Sequence, residues 1–146
     1  MIEMLRNNLS KDRLCRYLEL IDDSFSPSLS DRINLDVFAE KLIKHGEIIS
    51  IVENDDVLAG IGFYANDQNE YQAYVTFISV NKQYRRLGYA DKLINEAMVV
   101  AKEKKMKKMA LSVKKDNIGA VNLYKKHGFI VKGQERGRLN MTKELK

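Results

Sequence analysis

The sequence has few of the residues that build disulfides, metal centres or membrane spans. Cys15 is the one cysteine, so an intrachain disulfide is excluded and a reducing, cytoplasmic location is expected. His45 and His127 are far apart and belong to no Cys/His cluster, so we expect no metal. Aliphatic runs such as IISIV at 48–52 are far too short to cross a membrane, and the N-terminus lacks the apolar segment of a signal peptide.

What is present is ordinary globular composition, with 45% hydrophobic and 31% charged residues in a chain of 146. That length suits one domain with a real core, and the chain shows neither an internal repeat nor a low-complexity linker. We therefore expect residues 1–146 to form a single domain.

Charge is distributed unevenly along the chain. Residues 1–80 carry a net charge of −7 and residues 81–146 a net charge of +12, which together give the overall +5. A basic half suggests a polyanionic partner such as a nucleic acid, a membrane surface or a phosphorylated cofactor. The run KEKKMKKMA at 102–110 is more typical of a solvated lysine face, so charge alone does not choose among these partners.

Apolar periodicity predicts a mixed α/β sheet. The helices are expected at 10–25, 34–46, 90–105 and 117–128, and the strands at 1–7, 47–53, 57–65, 71–80, 107–113, 129–135 and 138–144. The 26–32 stretch, which holds Pro27, is expected to be a loop. The strand–helix–strand–helix order of the second half predicts one parallel pair of strands within the sheet.

The stretch QYRRLGYADKLI at 83–94 places two arginines and a glycine at the start of a helix. A helix N-terminus offers unpaired N–H groups and a partial positive charge, which favour an anion such as phosphate. Gly88 lets the backbone approach a ligand, and Arg85 and Arg86 add charge. The stretch matches neither the Walker pattern nor the dinucleotide-binding glycine pattern, and an incidental arginine pair at a helix start fits it equally well.

A second stretch, NIGAVNLYKKHGF at 117–129, places Asn117, Ala120 and Tyr124 on one helical face. Asn117 and Tyr124 are two turns apart, about 10 Å along the axis, so an amide and a phenol could contact one extended ligand. A helix cap and a half-buried core tyrosine are the structural alternative.

Together the two stretches resemble the GNAT superfamily of N-acetyltransferases, over nearly the whole chain. The family pattern [Q/R]-x-x-G-x-[G/A] is matched by Arg85, Gly88 and Ala90 directly after a long strand. The pattern N-x-x-A-x-x-L-Y-x-x-x-G-F is matched by the set Asn117, Ala120, Leu123, Tyr124, Gly128 and Phe129.

The resemblance implies a mostly antiparallel seven-stranded sheet, flanked by about four helices, whose central parallel pair splays into a V at a bulge. It implies acetyl-CoA or another acyl-CoA as the acyl donor, with the pantetheine arm paired to the backbone of Ile78, Ser79 and Val80. The pyrophosphate is expected on the N–H groups of Arg85, Arg86, Leu87, Gly88, Tyr89 and Ala90.

The implied reaction is direct attack of a neutral amine on the thioester, without a covalent enzyme intermediate. Tyr124 is expected to protonate the leaving thiolate, and Asn117 to hold the pantetheine amide. A backbone N–H of the splayed strand, that of Ile78, is expected to polarise the carbonyl.

The general base is not defined by the sequence, because the strand at 71–80 contains no acidic residue. Glu70 is the nearest carboxylate and a weak candidate; Tyr71, Tyr74 and a water chain are alternatives. His127 fits a partner of the helix dipole better than a base, and Cys15 an apolar filler better than a nucleophile.

The sequence leaves the acceptor open among small amines, amino sugars and protein or peptide amines. The resemblance puts residues 25–34 and the turn at 66–70 on the acceptor side, and the acidic first half favours a cationic amine. A non-catalytic acyl-CoA-binding protein is the alternative, with Tyr124 arguing against it. A nucleic-acid binder is disfavoured, because no basic–aromatic cluster, zinc motif or helix-turn-helix is present. We expect no membrane partner, and a homodimer is compatible with the sequence.

Overall fold

The computed structural model describes residues 1–21 and 34–146 of the chain. The seven strands within them are β1 (Ile2–Arg6), β2 (Glu47–Glu53), β3 (Asp56–Tyr64), β4 (Gln72–Val80), β5 (Lys108–Lys114), β6 (Ile130–Glu135) and β7 (Arg138–Glu144). The α-helices among these residues are α1 (Lys11–Ile21), α2 (Leu35–His45), α3 (Tyr89–Glu103) and α4 (Ile118–Lys126), with a short 3₁₀ helix at Lys82–Tyr84. The predicted loop at 26–32 and most of the predicted acceptor-side segment 25–34 lie outside the described residues.

The helices begin where polar residues satisfy their first N–H groups, with one exception. Ser10 Oγ accepts from the Arg13 N–H at the start of α1, and the Asn34 side chain accepts from two N–H groups of α2. Asn117 does the same for α4, whereas α3 begins at Gly88 with no side-chain cap. The start of α3 therefore keeps N–H groups that no side chain satisfies.

The strands form one sheet in the order β1-β2-β3-β4-β5-β7-β6. All neighbouring pairs are antiparallel except β4 and β5, which run parallel and pair only from Gln72–Tyr74 to Lys108–Ala110. Beyond these three residue pairs the two strands separate toward their carboxyl ends. The predicted mixed sheet with a parallel pair splayed into a V is confirmed.

A β-bulge in β4 marks the point of separation. Phe77 lies opposite Gly62 and Val75 lies opposite Phe63, which leaves Thr76 as an extra residue in β4. Val75 packs in the hydrophobic cluster on one face of the sheet and Phe77 in the cluster on the other. The bulge thus reverses the alternation of side chains just where β4 leaves β5.

Each face of the sheet is covered by its own hydrophobic cluster. The larger cluster joins α3 and α4 to the strands and contains Leu93, Met109 and Tyr124; we call this side the α3 face. The smaller cluster joins α1 and α2 to the other side, the α1/α2 face, and contains Leu14 and Phe77. None of the described helices is long and apolar enough to cross a membrane.

The buried side of α3 follows the helical repeat and consists of Tyr89, Leu93, Ile94, Ala97, Val100 and Ala101. Met98 is partly buried against the same cluster. Tyr89 is buried because it packs at the first turn of the helix, where the chain enters from the loop after β4.

Candidate active site

The divergence of β4 and β5 leaves a cleft of about 890 Å³ between the two strands. One side of the cleft, the β4 wall, consists of residues 78–80, 84–86 and 88–91. The other side, the β5 wall, consists of Val113, Lys114, Asp116, Asn117, Gly119, Ala120, Leu123, Tyr124 and Arg138. Every predicted binding residue except Leu87 lines this cleft: Ile78, Ser79, Val80, Arg85, Arg86, Gly88, Tyr89, Ala90, Asn117 and Tyr124. Leu87 is exposed at the tip of the loop and contributes no side chain to it.

The unpaired edge of β4 supplies main-chain groups to the cleft. The Asn81 N–H donates to the Leu58 carbonyl at 2.9 Å, and Ser79 lies opposite Gly60 in the same register. Because antiparallel strands alternate between bonded and non-bonded pairs, Ser79 belongs to the ladder with β3, whereas Ile78 and Val80 turn their N–H and carbonyl groups to the cleft. Of the three residues predicted to pair with a ligand, two have the required orientation.

Two side chains donate hydrogen bonds to main-chain carbonyls at the end of β4. Arg85 Nε donates to the Val80 carbonyl at 3.2 Å, so this guanidinium ties the loop to the strand end. The Tyr17 hydroxyl of α1 donates to the Ser79 carbonyl at 3.1 Å. Burial raises the pKa of Tyr17, so it remains a donor at all physiological pH values. The end of β4 is therefore held by a side chain of α1 and by a side chain of the loop that follows the strand.

The start of α3 has the features of an anion site. Gly88 has φ of +81° and Arg86 has φ of +66°, so the loop approaches the helix through two left-handed residues. A Cβ at Gly88 would meet no atom within 4 Å, which means that it would project into open space at the cleft. With no side-chain cap on α3, the first-turn N–H groups can serve a bound anion.

Asp91, also in the first turn of α3, connects this site to the end of α4. Its carboxylate lies 2.9 Å from Lys126 Nζ and 2.7 Å from His127 Nε2. These contacts, Lys126 foremost, lower the pKa of Asp91 despite partial burial. The Asp91 carboxylate thus contacts two side chains at the end of α4, and His127, predicted as a helix-end group, also joins α4 to α3.

On the β5 wall, Tyr124 and Asn117 have different environments. Tyr124 is buried, with its ring centroid 5.9 Å from that of Phe129 in an edge-on arrangement. Burial raises the pKa of Tyr124 to about 12, an effect that the charge of Arg138 opposes. Asn117 Oδ1 accepts from the Ala120 N–H at 3.2 Å, so its oxygen is the helix cap and its amide nitrogen remains to serve the cleft.

Arg138 is a cleft residue that the sequence analysis did not identify. It lies at the start of β7 and is partly buried; its Nε donates to Ser112 Oγ at 2.8 Å and its Nη2 to the Ser112 carbonyl at 3.1 Å. It reaches the cleft because β7 pairs with β5, a contact between residues 26 positions apart. No local pattern around residue 138 carries that information.

The carboxylate proposed from the sequence as a base is not in the cleft. Glu70 is exposed in the turn before β4, where its N–H donates to Asp67 Oδ1 at 3.1 Å. β4 alone rises about 20 Å from Gln72 to Ile78, and Glu70 lies in the turn before this strand. Glu70 lies at the closed end of the V and therefore cannot reach a group bound beside Ile78. Tyr71 and Tyr74 are exposed near the same end, and Cys15 packs against the α1/α2 cluster.

A second cavity of about 530 Å³ adjoins the cleft at Tyr84, under α1. It contains none of the predicted site residues. Within residues 1–21 and 34–146, no three His, Cys, Asp or Glu side chains are grouped so as to hold a metal ion.

Comparison with known proteins identifies the family. The sequence profile of the acetyltransferase (GNAT) family matches residues 14–129, which is most of the chain, so the protein belongs to the GNAT acetyltransferases. No curated protein sequence matches it.

Solved structures share its fold over the whole chain. A GNAT-family acetyltransferase from Staphylococcus aureus Mu50 has a TM-score of 0.81 at 19% identity, with 100% of each chain covered. The PaiA N-acetyltransferase from Thermoplasma acidophilum, solved in complex with coenzyme A, has a TM-score of 0.78 at 17% identity, with 99% of each chain covered. A GNAT-family acetyltransferase from Elizabethkingia anophelis with acetyl-CoA bound has a TM-score of 0.71 at 19% identity, covering 99% of this chain and 98% of its own.

Proposed function

We propose that this protein is a cytoplasmic N-acetyltransferase that transfers the acetyl group of acetyl-CoA to a primary amine by direct attack. The observation that carries the proposal is the juxtaposition of three features in one cleft. These are the unpaired main-chain edge of Ile78 and Val80, the uncapped start of α3 beside Gly88, and the buried hydroxyl of Tyr124 on the facing wall.

The β4 wall fits the two ends of an acyl-CoA. The first-turn N–H groups of α3, with Arg85 and Arg86 beside them, suit a pyrophosphate. The outward N–H groups of Ile78 and Val80 and the carbonyl of Ile78 suit the amides of a pantetheine arm, which would add to β4 as an extra strand does, while the Val80 carbonyl accepts from Arg85. The relatives solved with coenzyme A or acetyl-CoA support this assignment.

Three groups act on the thioester: a main-chain N–H of β4, the attacking amine and the Tyr124 hydroxyl. An N–H of the β4 edge at Ile78 would donate to the carbonyl oxygen as negative charge develops there. The amine nitrogen forms the new C–N bond while the C–S bond breaks, and the thiolate is left to be stabilised. Tyr124 would donate its hydroxyl hydrogen bond to this sulfur.

The environment of Tyr124 suits a donor that keeps its proton. An ordinary tyrosine ionises near pH 10, in the range where a lysine-type amine becomes neutral, whereas the pKa of Tyr124 is about 12. The hydroxyl is therefore available wherever the amine is reactive. Because a thiol has a pKa near 8.5, we expect Tyr124 mainly to stabilise the thiolate by hydrogen bonding, with full transfer of its proton following only with rapid reprotonation from solvent.

The amine proton requires an acceptor other than Glu70. Since no carboxylate other than the paired Asp91 and the exposed Asp116 lines the cleft among the described residues, we propose that water carries this proton to solvent. Of the candidate bases that the sequence offered, we therefore propose the water chain and not Glu70.

The proposal is tested by two measurements on the same preparation. Calorimetry with acetyl-CoA measures binding, and an amine library assayed by free-thiol release measures turnover. Binding with acceptor-dependent thiol release is expected. Binding without release for any amine would favour the alternative, a non-catalytic acyl-CoA sensor, and absence of binding would reject both.

A further inference from the structure

Arg138 has a fixed position and no acidic partner among the described residues. Two of its five N–H donors bind Ser112, and none of the described carboxylates forms an ion pair with it. A partly buried guanidinium that is oriented by a serine and borders a cleft is well suited to bind an anionic group by two parallel hydrogen bonds.

The sheet register places Arg138 on the α1/α2 face. Arg138 lies opposite Lys114, and Ser112 lies opposite Asn140, so these four side chains share one face. Met109, Leu111 and Val113 alternate with them and pack in the cluster on the α3 face. Tyr124 belongs to that same cluster, so the cleft connects the two faces through the V, with Tyr124 on one side and Arg138 on the other.

This placement separates Arg138 from the phosphate region. The start of α3 lies on the α3 face and follows the carboxyl end of β4, where the cleft opens. Arg138 instead folds back from the level of Lys114 to that of Ser112, two residues or about 7 Å deeper along β5. Arg138 and Tyr124 line the same cleft, and the charge of Arg138 acts to lower the pKa of the Tyr124 hydroxyl. We have assigned that hydroxyl to the leaving sulfur. The guanidinium thus lies near the reacting end of the donor, on the face that the donor leaves open.

We propose that Arg138 binds a carboxylate of the acceptor, and that the acceptor is an amino-acid-like small molecule carrying both a primary amine and a carboxylate. This inference rests on the proposed acetyl transfer and specifies its substrate class. The carboxylate would be fixed by the fork of Arg138, which leaves the amine of the same molecule to approach the thioester beside Ile78 and Tyr124.

The experiment compares α-, β- and γ-amino acids with their carboxamides at saturating acetyl-CoA, in the wild type and in Arg138→Gln. The expected loss in kcat/KM on the preferred amino acid is about 10- to 100-fold and lies mainly in KM, as for a lost charged hydrogen bond. It should exceed the loss on the matching carboxamide by at least about 10-fold. Because each acceptor is compared with itself, differences in amine pKa cancel. Arg138→Lys should restore part of the preference, since it keeps the charge and loses the fork.

Arg136→Gln is the matched control, since it removes the same charge from an exposed residue of the neighbouring turn outside the cleft. It should leave the acceptor preference as in the wild type. Equal losses on amino acids and carboxamides in Arg138→Gln would overturn the inference, and so would a loss of acetyl-CoA affinity by calorimetry, which would assign Arg138 to the donor. Turnover of simple amines without a carboxylate preference rejects the inference alone. Absence of turnover with every amine rejects the proposed function and the inference with it.

Discussion

The two walls of the cleft differ in what they present to a ligand. The β4 wall presents main chain: the strand edge at Ile78 and Val80 and the uncapped helix start at Gly88. The β5 wall also has a strand edge that is unpaired beyond Ala110, because β7 occupies only the other edge of β5, and Asn117 caps α4. What distinguishes the β5 wall is the side chains of Tyr124 and Arg138, which line the cleft. Substitutions on the β4 wall should therefore alter donor binding through backbone geometry, and those on the β5 wall should alter chemistry and acceptor choice.

The largest effect is expected at the hydroxyl of Tyr124. Tyr124→Phe keeps the ring against Phe129 and removes only the donor, so kcat should fall by roughly 10²- to 10³-fold with little change in acetyl-CoA affinity. Tyr84→Phe, which removes a hydroxyl from the β4 wall, is the control and should cost far less. Full kcat in Tyr124→Phe, measured where chemistry limits the rate, would remove Tyr124 from catalysis.

Gly88 tests the main-chain wall. Gly88→Ala introduces a Cβ into the open cleft and strains a residue with φ of +81°, so acetyl-CoA affinity should fall by at least about 10-fold, with about 1 kcal/mol of lost stability. Gly137→Ala separates the two causes, because Gly137 has φ of +77° and equally open surroundings but lies outside the cleft. If both variants lose stability and neither loses affinity by calorimetry, the phosphate site is not at α3.

The arginines of the loop should divide their effects between charge and geometry. Arg86→Ala should weaken acetyl-CoA by about 3- to 10-fold, less at high salt, and should spare acyl-pantetheine, which lacks the phosphates. Arg85→Ala should weaken both ligands, because Arg85 also holds the Val80 carbonyl at the strand edge. Identical behaviour of the two variants toward acyl-pantetheine would contradict this distinction.

Asn117 tests whether a capping residue also binds the donor. Asn117→Ala removes the bond to the Ala120 N–H and should lower the free energy of unfolding by about 1 kcal/mol. Asn117→Ser retains a capping oxygen and removes the amide. Normal stability with weakened acetyl-CoA binding in the serine variant would assign the amide nitrogen to the ligand; normal values for both would limit Asn117 to the cap.

The smallest effect concerns alkaline pH. The unfolded state loses a tyrosine proton near pH 10, whereas Tyr124 in the folded state keeps it until about pH 12. Its contribution to stability is thus complete below pH 10 and is lost as the pH rises to 12, by about 1 kcal/mol at pH 11. Urea unfolding of wild type and Tyr124→Phe at pH 8 and pH 11 should show a steeper decline in the wild type.

The sequence predicted the elements and most cleft residues because both are encoded locally. Asn34, Gly46 and Asn117 delimit helices in the structure as their residue types indicate. The resemblance implied a bulge, but its position at Thr76 could not be read from the residues, because Val75 and Phe77 are both apolar and fit either face of the sheet. Arg138 depends on a register between distant strands. Glu70 is near Ile78 in sequence but lies outside the cleft, because β4 rises about 20 Å between the turn that holds Glu70 and Ile78.

The three residue pairs that join β4 to β5 also divide the sheet into two unequal plates, one of β1, β2, β3 and β4 and one of β5, β7 and β6. We call the three pairs the seam between the plates. The α3 helix packs on β2, β3 and β4 and so belongs to the first plate, while the ion pairs of Asp91 with Lys126 and His127 tie the plates together near the mouth. From the seam at Tyr74 to Val80 the strand extends about 20 Å, so a tilt of about 5° between the plates moves the mouth by nearly 2 Å. A small change in the angle between the two parts of the sheet therefore produces a larger change in the width of the cleft. The three β4–β5 residue pairs and the ion pairs of Asp91 limit this angle.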